Sequence, residues 1–269
     1  MELSVVISHY RSRPLLKLCL DSVRRAVGSR QAQITVSDSA TEAGPMAAFA
    51  AEYPEVQWLW HGENVGYAKL INHGLQKSQG EFALILNADI IVLEGAVGAL
   101  LEYLRAHPRV AVAGPQLLNI DETRQDSAFR FYSPAVILSR RTWLGRLKWF
   151  RRKLAAFRRA DRLAVVVPEP VDWLMGSALC VRREALNAIG PFDERFFMYF
   201  EDVDLCRRFW EAGWEVHYVP QAKTIHYHQQ QSRSRSIFDA LLNPYTRIHI
   251  LSAIKYFRKY GLKVPRYGT

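Results

Sequence analysis

Three acidic positions in this chain are of a type and placement that can do chemistry. Asp38 follows the strand-like residues 33–36, Asp89 ends Leu86-Asn87-Ala88-Asp89, and Asp202 lies in Tyr199-Phe200-Glu201-Asp202-Val203-Asp204. Carboxylates so placed can hold a divalent cation or take a proton from a bound molecule. The plainer reading gives Asp38 and Asp89 Asx turns or caps. Glu201, Asp202 and Asp204 equally suit the first turn of a helix, where acids complement the dipole. Spacing alone decides neither.

What must position these residues is an alternation of strand-like and helix-like segments. Residues 3–7 are a continuous apolar run, as in a strand buried on both faces. Leu15, Leu18, Ser22 and Val23 then recur at helical spacing, with Pro14 tolerated in a first turn. Strands are expected at 33–36, 56–60, 82–86 and 110–113. Helices are expected at 68–79, ending before Gly80, and around Val97, Leu100, Leu101 and Leu104, ending at His107-Pro108. This order predicts an α/β fold with a mostly parallel sheet and helices on both faces, which binds ligands at the carboxyl ends of its strands. After Gly114 the alternation fails. It resumes with a strand within 171–181, a short helix ending at Gly190, the aromatic stretch 192–200, a helix over 201–212 and a strand at 216–219. A last helix opens with Asn243 as N-cap and Pro244 at its first position and closes at Gly261.

Composition narrows the function classes. Of 269 residues, 49% are apolar, with seven Trp, twelve Tyr and thirteen Phe, which excludes a disordered chain. Cys19, Cys180 and Cys206 are odd in number and widely spaced, an argument against a disulfide framework or cysteine-ligated zinc and for a reducing compartment. The start of the chain enters a strand at once, and no apolar run approaches the roughly 18 residues of a membrane span, so neither a signal peptide nor an integral protein is expected. The formal charge is +10, but 139–162 alone holds ten Lys and Arg against Asp161. The rest of the chain is therefore nearly neutral.

Short motifs in a fixed order make the sequence resemble the inverting family 2 glycosyltransferases of the GT-A fold, especially rhamnosyltransferase-like members that build bacterial surface polysaccharides such as O-antigen. The resemblance covers about residues 3–232. Leu3-Ser4-Val5-Val6-Ile7-Ser8-His9-Tyr10-Arg11 matches the first strand, which runs under the nucleotide. Val36-Ser37-Asp38-Ser39-Ala40-Thr41 is similar to the turn whose Asp meets base or ribose. Glu63-Asn64-Val65-Gly66-Tyr67-Ala68 with Asn72-His73-Gly74 resembles the loop and helix near the donor sugar, and Leu86-Asn87-Ala88-Asp89 occupies the place of the metal-binding Asp-x-Asp element. Asp172-Trp173-Leu174-Met175-Gly176-Ser177-Ala178 looks like the acceptor-side turn. Phe192 to Phe197 runs into Glu201-Asp202-Val203-Asp204-Leu205, like the block that supplies the base, and 220–226 is similar to the strand whose His joins the metal.

The resemblance implies a nucleotide diphospho-sugar donor, deoxythymidine diphosphate rhamnose as the first guess, and a saccharide or lipid-linked acceptor. It assigns Asp202 as the base, Asp89 and His226 to Mg2+ or Mn2+, and Ser8, His9, Tyr10, Asp38, Asn64, Gly66, Asn72 and Asn87 to the donor. Trp173, Gly176, Ser177 and Glu201 fall to the acceptor. A cation is needed because Asp89 and a diphosphate repel each other. His228 competes with His226, two residues away on the same strand face. Trp173 reads equally as a core aromatic, and Arg233 and Arg235 as a diphosphate clamp or as solvated side chains. The element Asn87-Ala88-Asp89 lacks the first acid, which implies weak metal binding before the donor arrives. Domain boundaries expected on this reading are a catalytic unit at 1–232, with a nucleotide-binding half at 1–114 and an acceptor half at 171–232, and a helical extension at 233–269.

Other classes fare worse. A nucleotidyltransferase would want a glycine in His9-Tyr10-Arg11-Ser12-Arg13, and a binding-only relative has no use for the base. A nucleic-acid module would use the basic segment but need neither Asp89 nor Asp202, so no nucleic-acid partner is expected. Within that segment Trp143, Leu147, Phe150, Leu154 and Phe157 are spaced as one helix face, with cations beside or opposite. A helix of this kind over 137–163 either packs on the sheet or lies in an anionic membrane surface. The second reading makes the protein cytoplasmic and peripheral on the inner face of the membrane.

Overall fold

The computed structural model describes residues 1–39, 43–141, 143–159, 166–227 and 243–267. From the N-terminus run β1 (Leu3–Tyr10), α1 (Arg13–Val27), β2 (Ala32–Ser39), α2 (Ala43–Ala51), β3 (Val56–His61) and α3 (Tyr67–Gln76). Next come β4 (Phe82–Asn87), β5 (Ile90–Val92), α4 (Ala96–Ala106), β6 (Val110–Leu118), β7 (Arg124–Gln125) and β8 (Ala128–Phe129). The basic region holds α5 (Pro134–Arg141), a 3-10 turn (Trp143–Arg146) and α6 (Lys148–Phe157). The last part holds β9 (Glu169–Pro170), β10 (Trp173–Leu174), β11 (Ala178–Arg182), α7 (Arg183–Ile189), α8 (Glu201–Glu211), β12 (Glu215–His226) and α9 (Pro244–Tyr260).

Among the described residues the main sheet has the order β3-β2-β1-β4-β11-β6-β12-β5, with β7 beside β6 and β9 beside β12. It is mixed and mostly parallel: β3, β2, β1 and β4 run together, as do β6 and β12, whereas β11 opposes both neighbours. Alternate residues of the buried strands feed two cores. Val5 and Ile7 join an aliphatic layer with Leu16, Leu20 and Val23 of α1 and Leu100 and Leu104 of α4. Val6 and Ile85 face a layer rich in rings, with Phe157, Phe200, Phe209 and Tyr256 from α6, the start of α8, α8 and α9. All three cysteines are free and buried, and desolvation pushes each thiol up, that of Cys180 to about 12.

Two expectations need correction. First, β6 does not stop at 113 but runs through Gly114-Pro115 to Leu118. Its partner β12 shifts register between Val219 and Lys223 opposite Pro115, so a residue without an N–H is accommodated at a bulge. Second, the stripe from Trp143 to Phe157 is not one helix. The chain breaks between α5 and α6, and Gly145 lies so close to Ser139 that a Cβ there would sit 2.2 Å from its carbonyl oxygen. Only the C-terminal end of the stripe packs: Phe157 is buried against Phe129 and Tyr132, while Trp143 is 62% exposed and Leu147 also faces solvent. His228, Arg233 and Arg235, with Ala40 and Thr41, lie outside the described residues.

Candidate active site

Register places the donor-side residues in one row. Across β1, His9 pairs with Asp38 of β2 and Ser8 with Asn87 of β4, so all four meet at the carboxyl ends of parallel strands. His9 Nδ1 is hydrogen-bonded to Asp38 Oδ2, and His9 Nε2 accepts the Ser12 N–H at 3.0 Å. The second bond fixes the tautomer with the proton on Nδ1, so His9 donates to Asp38. Asp38 Oδ1 is buried with no partner. Ser8 Oγ donates to Asn87 Oδ1 at 3.2 Å, and Tyr10 is exposed at the rim. Asn64 Oδ1 accepts from Ser39 Oγ and from Gly66 N–H, which closes the loop onto β2. Gly66 has φ +82, and a Cβ there would lie 2.6 Å from Phe197, so this loop packs directly against the aromatic turn before α8.

Asp89 and His226 meet because the end of β12 pairs with β5, His226 opposite Ile90, and Tyr227 N–H bonds to Asp89 O. His226 Nδ1 lies 2.6 Å from Gln125 Oε1, which can only accept there; the proton is thus on Nδ1 and Nε2 is turned towards Asp89. The Nε2 to Asp89 Oδ2 distance is 3.6 Å, long for a hydrogen bond and suited to two neighbouring ligands of one ion. Asp89 Oδ1 is buried and unpartnered. This donor set, one carboxylate and one imidazole on its neutral acceptor nitrogen, fits a divalent cation. Among the described residues no group of three or more His, Cys, Asp or Glu is arranged to hold a metal ion, so an ion held there needs oxygens from its ligand and from water.

Facing this row is an acid pair at the start of α8. The two residues before it, Tyr199 and Phe200, have φ +67 and +71, left-handed values that cost non-glycine residues energy and recur at functional turns. They swing the chain so that Asp202 points to Gly176: Asp202 Oδ2 accepts Gly176 N–H at 2.8 Å and Oδ1 accepts Val203 N–H at 2.8 Å. Burial raises Asp202 to about 6, with these two donors opposing the rise. Glu201 is held well above the usual carboxylate range by burial and then by the charge of Asp202, and its Oε2 has no partner. Burial thus favours the protonated form of both carboxyls, and at Glu201 the neighbouring charge of Asp202 adds to it. Tyr67 OH donates to Gly176 O at 2.6 Å; burial, then the charges of Glu201, Asp202 and Asp89, keep that phenol protonated. Ser177 Oγ, buried and unpartnered, lies beside Asn87, whose N–H bonds to Ser177 O.

Against this geometry the comparisons decide the family. A family model described as glycosyltransferase-like family 2 matches residues 2–247. The chain belongs to that family. It is 33% identical over 245 residues, 87% of this chain and 78% of the relative, to the N-acetylglucosaminyl-diphospho-decaprenol L-rhamnosyltransferase of Mycobacterium tuberculosis. Rhamnosyltransferase WbbL of Escherichia coli is 37% identical over 89 residues, 33% of this chain and 31% of that protein. Among solved structures, GalNAc-T7 with UDP, GalNAc and Mn2+ superposes with TM-score 0.65 at 16% identity, covering 95% of this chain and 49% of that one. A mannosyltransferase from Pyrobaculum calidifontis with GDP-Man and Mn2+ has TM-score 0.58 at 16% identity, covering 97% and 76%. These likenesses give the GT-A fold.

Two assigned residues of this glycosyltransferase stand apart from its cleft. Asn72 donates to Phe192 O and Glu194 Oε1 and accepts Phe192 N–H, so its amide ties α3 to the 192–194 turn rather than touching a donor. Trp173 is 5% exposed, stacks on Phe129 at 4.6 Å and donates to Arg130 O, so it is a core ring rather than a sugar platform. Conversely, Gln125 and Tyr67 were not picked out as site residues. Tyr67 stands inside a quoted motif, whereas nothing in the sequence near Gln125 marks it, since its role depends on β7 being brought to β12.

Proposed function

We propose that this enzyme transfers a sugar, with inversion, from a nucleotide diphospho-sugar to a lipid-linked saccharide in polysaccharide synthesis. The observation that carries the reading is a set of buried side-chain atoms without partners at the strand ends and at the start of α8: Asp38 Oδ1, Asp89 Oδ1, Ser177 Oγ and Glu201 Oε2. Buried polar atoms rarely stay unpaired unless a ligand meets them. Asp38 Oδ1, oriented by His9, accepts an N–H or O–H of the nucleoside. Asp89 and His226 would hold Mg2+ or Mn2+, and such an ion would supply positive charge to a diphosphate leaving group.

Asp202 acts as the base. As the acceptor oxygen bonds to the anomeric carbon, its proton passes to the Asp202 carboxylate. The bond from that carbon to the diphosphate oxygen breaks, and the electron pair stays with the diphosphate. Glu201, whose burial favours the protonated form, is suited to donate to a sugar hydroxyl. A single base and no nucleophile on the donor side require in-line attack and hence inversion. The names of the two rhamnosyltransferase relatives favour rhamnose as the sugar, and one of those names specifies a diphospho-decaprenol acceptor; deoxythymidine diphosphate as its carrier is what the motif resemblance implies. On this reading residues 1–114 bind the nucleotide and 171–232 the acceptor.

No helix among the described residues is long and apolar enough to cross a membrane. On the proposed reading a lipid-linked acceptor is reached from the membrane surface, and the arm formed by α5, the 3-10 turn and α6 suits that task. It exposes Leu138, Trp143, Leu147 and Trp149 among cations, and Lys153 lies over the Trp149 ring at 5.4 Å. Aromatic and leucine side chains flanked by Lys and Arg belong at an anionic interface, here the cytoplasmic leaflet. The test of the function is a panel of nucleotide sugars with and without Mg2+ or Mn2+, read as nucleotide release. Release from deoxythymidine diphosphate rhamnose, stimulated by a lipid-diphosphate saccharide, is the expected outcome; release from another donor only would overturn the donor assignment.

A further inference from the structure

The C-terminal helix repeats the chemistry of the arm on a separate piece of chain. The inner side of α9 is fixed: Thr246, His249, Ser252, Ala253 and Tyr256 are buried, and Lys259 and Tyr260 bond to Asp204. Its outer side carries Arg247, Leu251, Ile254, Lys255 and Arg258, all exposed and spaced as one helix face. Leu251 is 56% exposed, Ile254 49% and, just beyond the helix, Leu262 68%. From 243 to 269 the sequence holds six Lys and Arg and no Asp or Glu. A face that merely meets water normally mixes the two signs and shows few bare aliphatic side chains.

A cavity of about 420 Å³ adjoins this face, lined by Arg195, Phe196, Lys255, Arg258 and Lys259. Lys259 bonds to Asp193 and Asp204, and Arg195 to Asp193, so four cations meet two carboxylates and positive charge remains. Guanidinium groups match phosphate oxygens geometrically. We propose that α9 and this cavity form a second membrane-docking element, with Leu251, Ile254 and Leu262 in the interface and an anionic phospholipid headgroup in the cavity. The inference rests on the reading that the enzyme works at a membrane. It goes beyond the arm, because none of the described residues of 137–163 lines the cavity.

Charge and apolarity together select the occupant. A nucleic acid would use the cations but leave Leu251 and Ile254 in water. A second copy docking α9 on α9 would set cation against cation. The two elements also share a foundation, since Tyr132, just before α5, and His249 of α9 lie 6.3 Å apart by ring centroid in the aromatic layer.

The experiment is co-sedimentation of the full chain with vesicles of phosphatidylglycerol and phosphatidylcholine, with pure phosphatidylcholine as control. Two variants, Arg247→Glu with Arg258→Glu, and Leu251→Ser with Ile254→Ser, are compared with Arg151→Glu, Arg152→Glu and Lys153→Glu combined. Each α9 variant is expected to lower partitioning into anionic vesicles about tenfold or more, with turnover of a water-soluble acceptor analogue unchanged. If the α9 variants bind like wild type while the arm variant is lost, α9 is not a docking element and the arm reading stands. If the arm variant binds normally and the α9 variants do not, the arm reading fails and this one stands. Absence of wild-type binding to anionic vesicles at low salt, or binding that free inorganic phosphate abolishes as fully as high salt does in both α9 variants and wild type alike, overturns the inference.

Discussion

The two sides of the cleft are built by different means. On the proposed donor side, Ser8, Asp38 and Asn87 are set by strand register, and neighbouring strands fix where each side chain emerges. On the proposed acceptor side, Asp202 owes its direction to two left-handed residues and to one hydrogen bond from Gly176, 26 positions away. A register-built row is common to every strand-end site of this fold class, so it suits the shared part of the reaction, the nucleotide. A loop-built wall can be re-aimed by a few substitutions, so it suits the part that differs between acceptors.

The sharpest way to break this contrast is at Asp89. Asp89→Ala should lower turnover about 10³-fold or more and remove metal-dependent donor binding, since both rest on one site; full activity in excess chelator would show the donor row works without a cation. Next, Asp202→Asn should lower kcat roughly 10²-fold or more while donor affinity, measured by calorimetry, holds. Glu201→Gln should be much milder, because an amide mimics the protonated carboxyl that burial favours there; the reverse ranking moves the base by one residue.

Acidity tests the same wall more gently. Asp202 must be ionised to act, so kcat should climb as pH rises through about 6 and fall about tenfold per unit below it. The linked effect on stability has the opposite slope. With the folded value raised, the native state keeps a proton that the unfolded chain has already released, so this group's contribution to stability declines as pH rises from the ordinary carboxylate range to about 6. A rate profile flat from pH 5 to 7 would remove Asp202 from the role. The smallest expected effect is Trp173→Phe. Loss of its bond to Arg130 O should cost about 1 kcal/mol in denaturant titrations, with acceptor KM unchanged. A raised acceptor KM at full stability would return Trp173 to the sugar.

How much of this was legible beforehand follows the same division. The strands that carry Asp38 and Asp89 announce themselves as short apolar runs, and the carboxylates stand at their ends. The mostly parallel α/β fold is confirmed by the sheet itself and by its structural relatives. The length of β6 was hidden, since Gly114-Pro115 reads locally as a stop and only a bulge in a strand a hundred residues later removes the penalty. Helical spacing in 143–157 was real but not continuous, because periodicity is blind to a chain reversal at Gly145. Asn72 has the right type and motif, yet its amide is already satisfied by Phe192 and Glu194, a fact of tertiary packing. Gln125 could not be seen at all: orienting His226 is a property of a two-residue strand with no pattern of its own.

The buried cysteines have a practical reach beyond the fold. Cys19, Cys180 and Cys206 are shielded from solvent, and their thiols resist ionisation at ordinary pH. Maleimide or nitroxide reagents should therefore ignore the native chain, so a single cysteine introduced at Trp149 or Leu251 becomes a selective reporter without first stripping the background. Spectroscopic depth measurements on those two reporters could then map, in ångströms, how the arm and the C-terminal helix each sit relative to a bilayer.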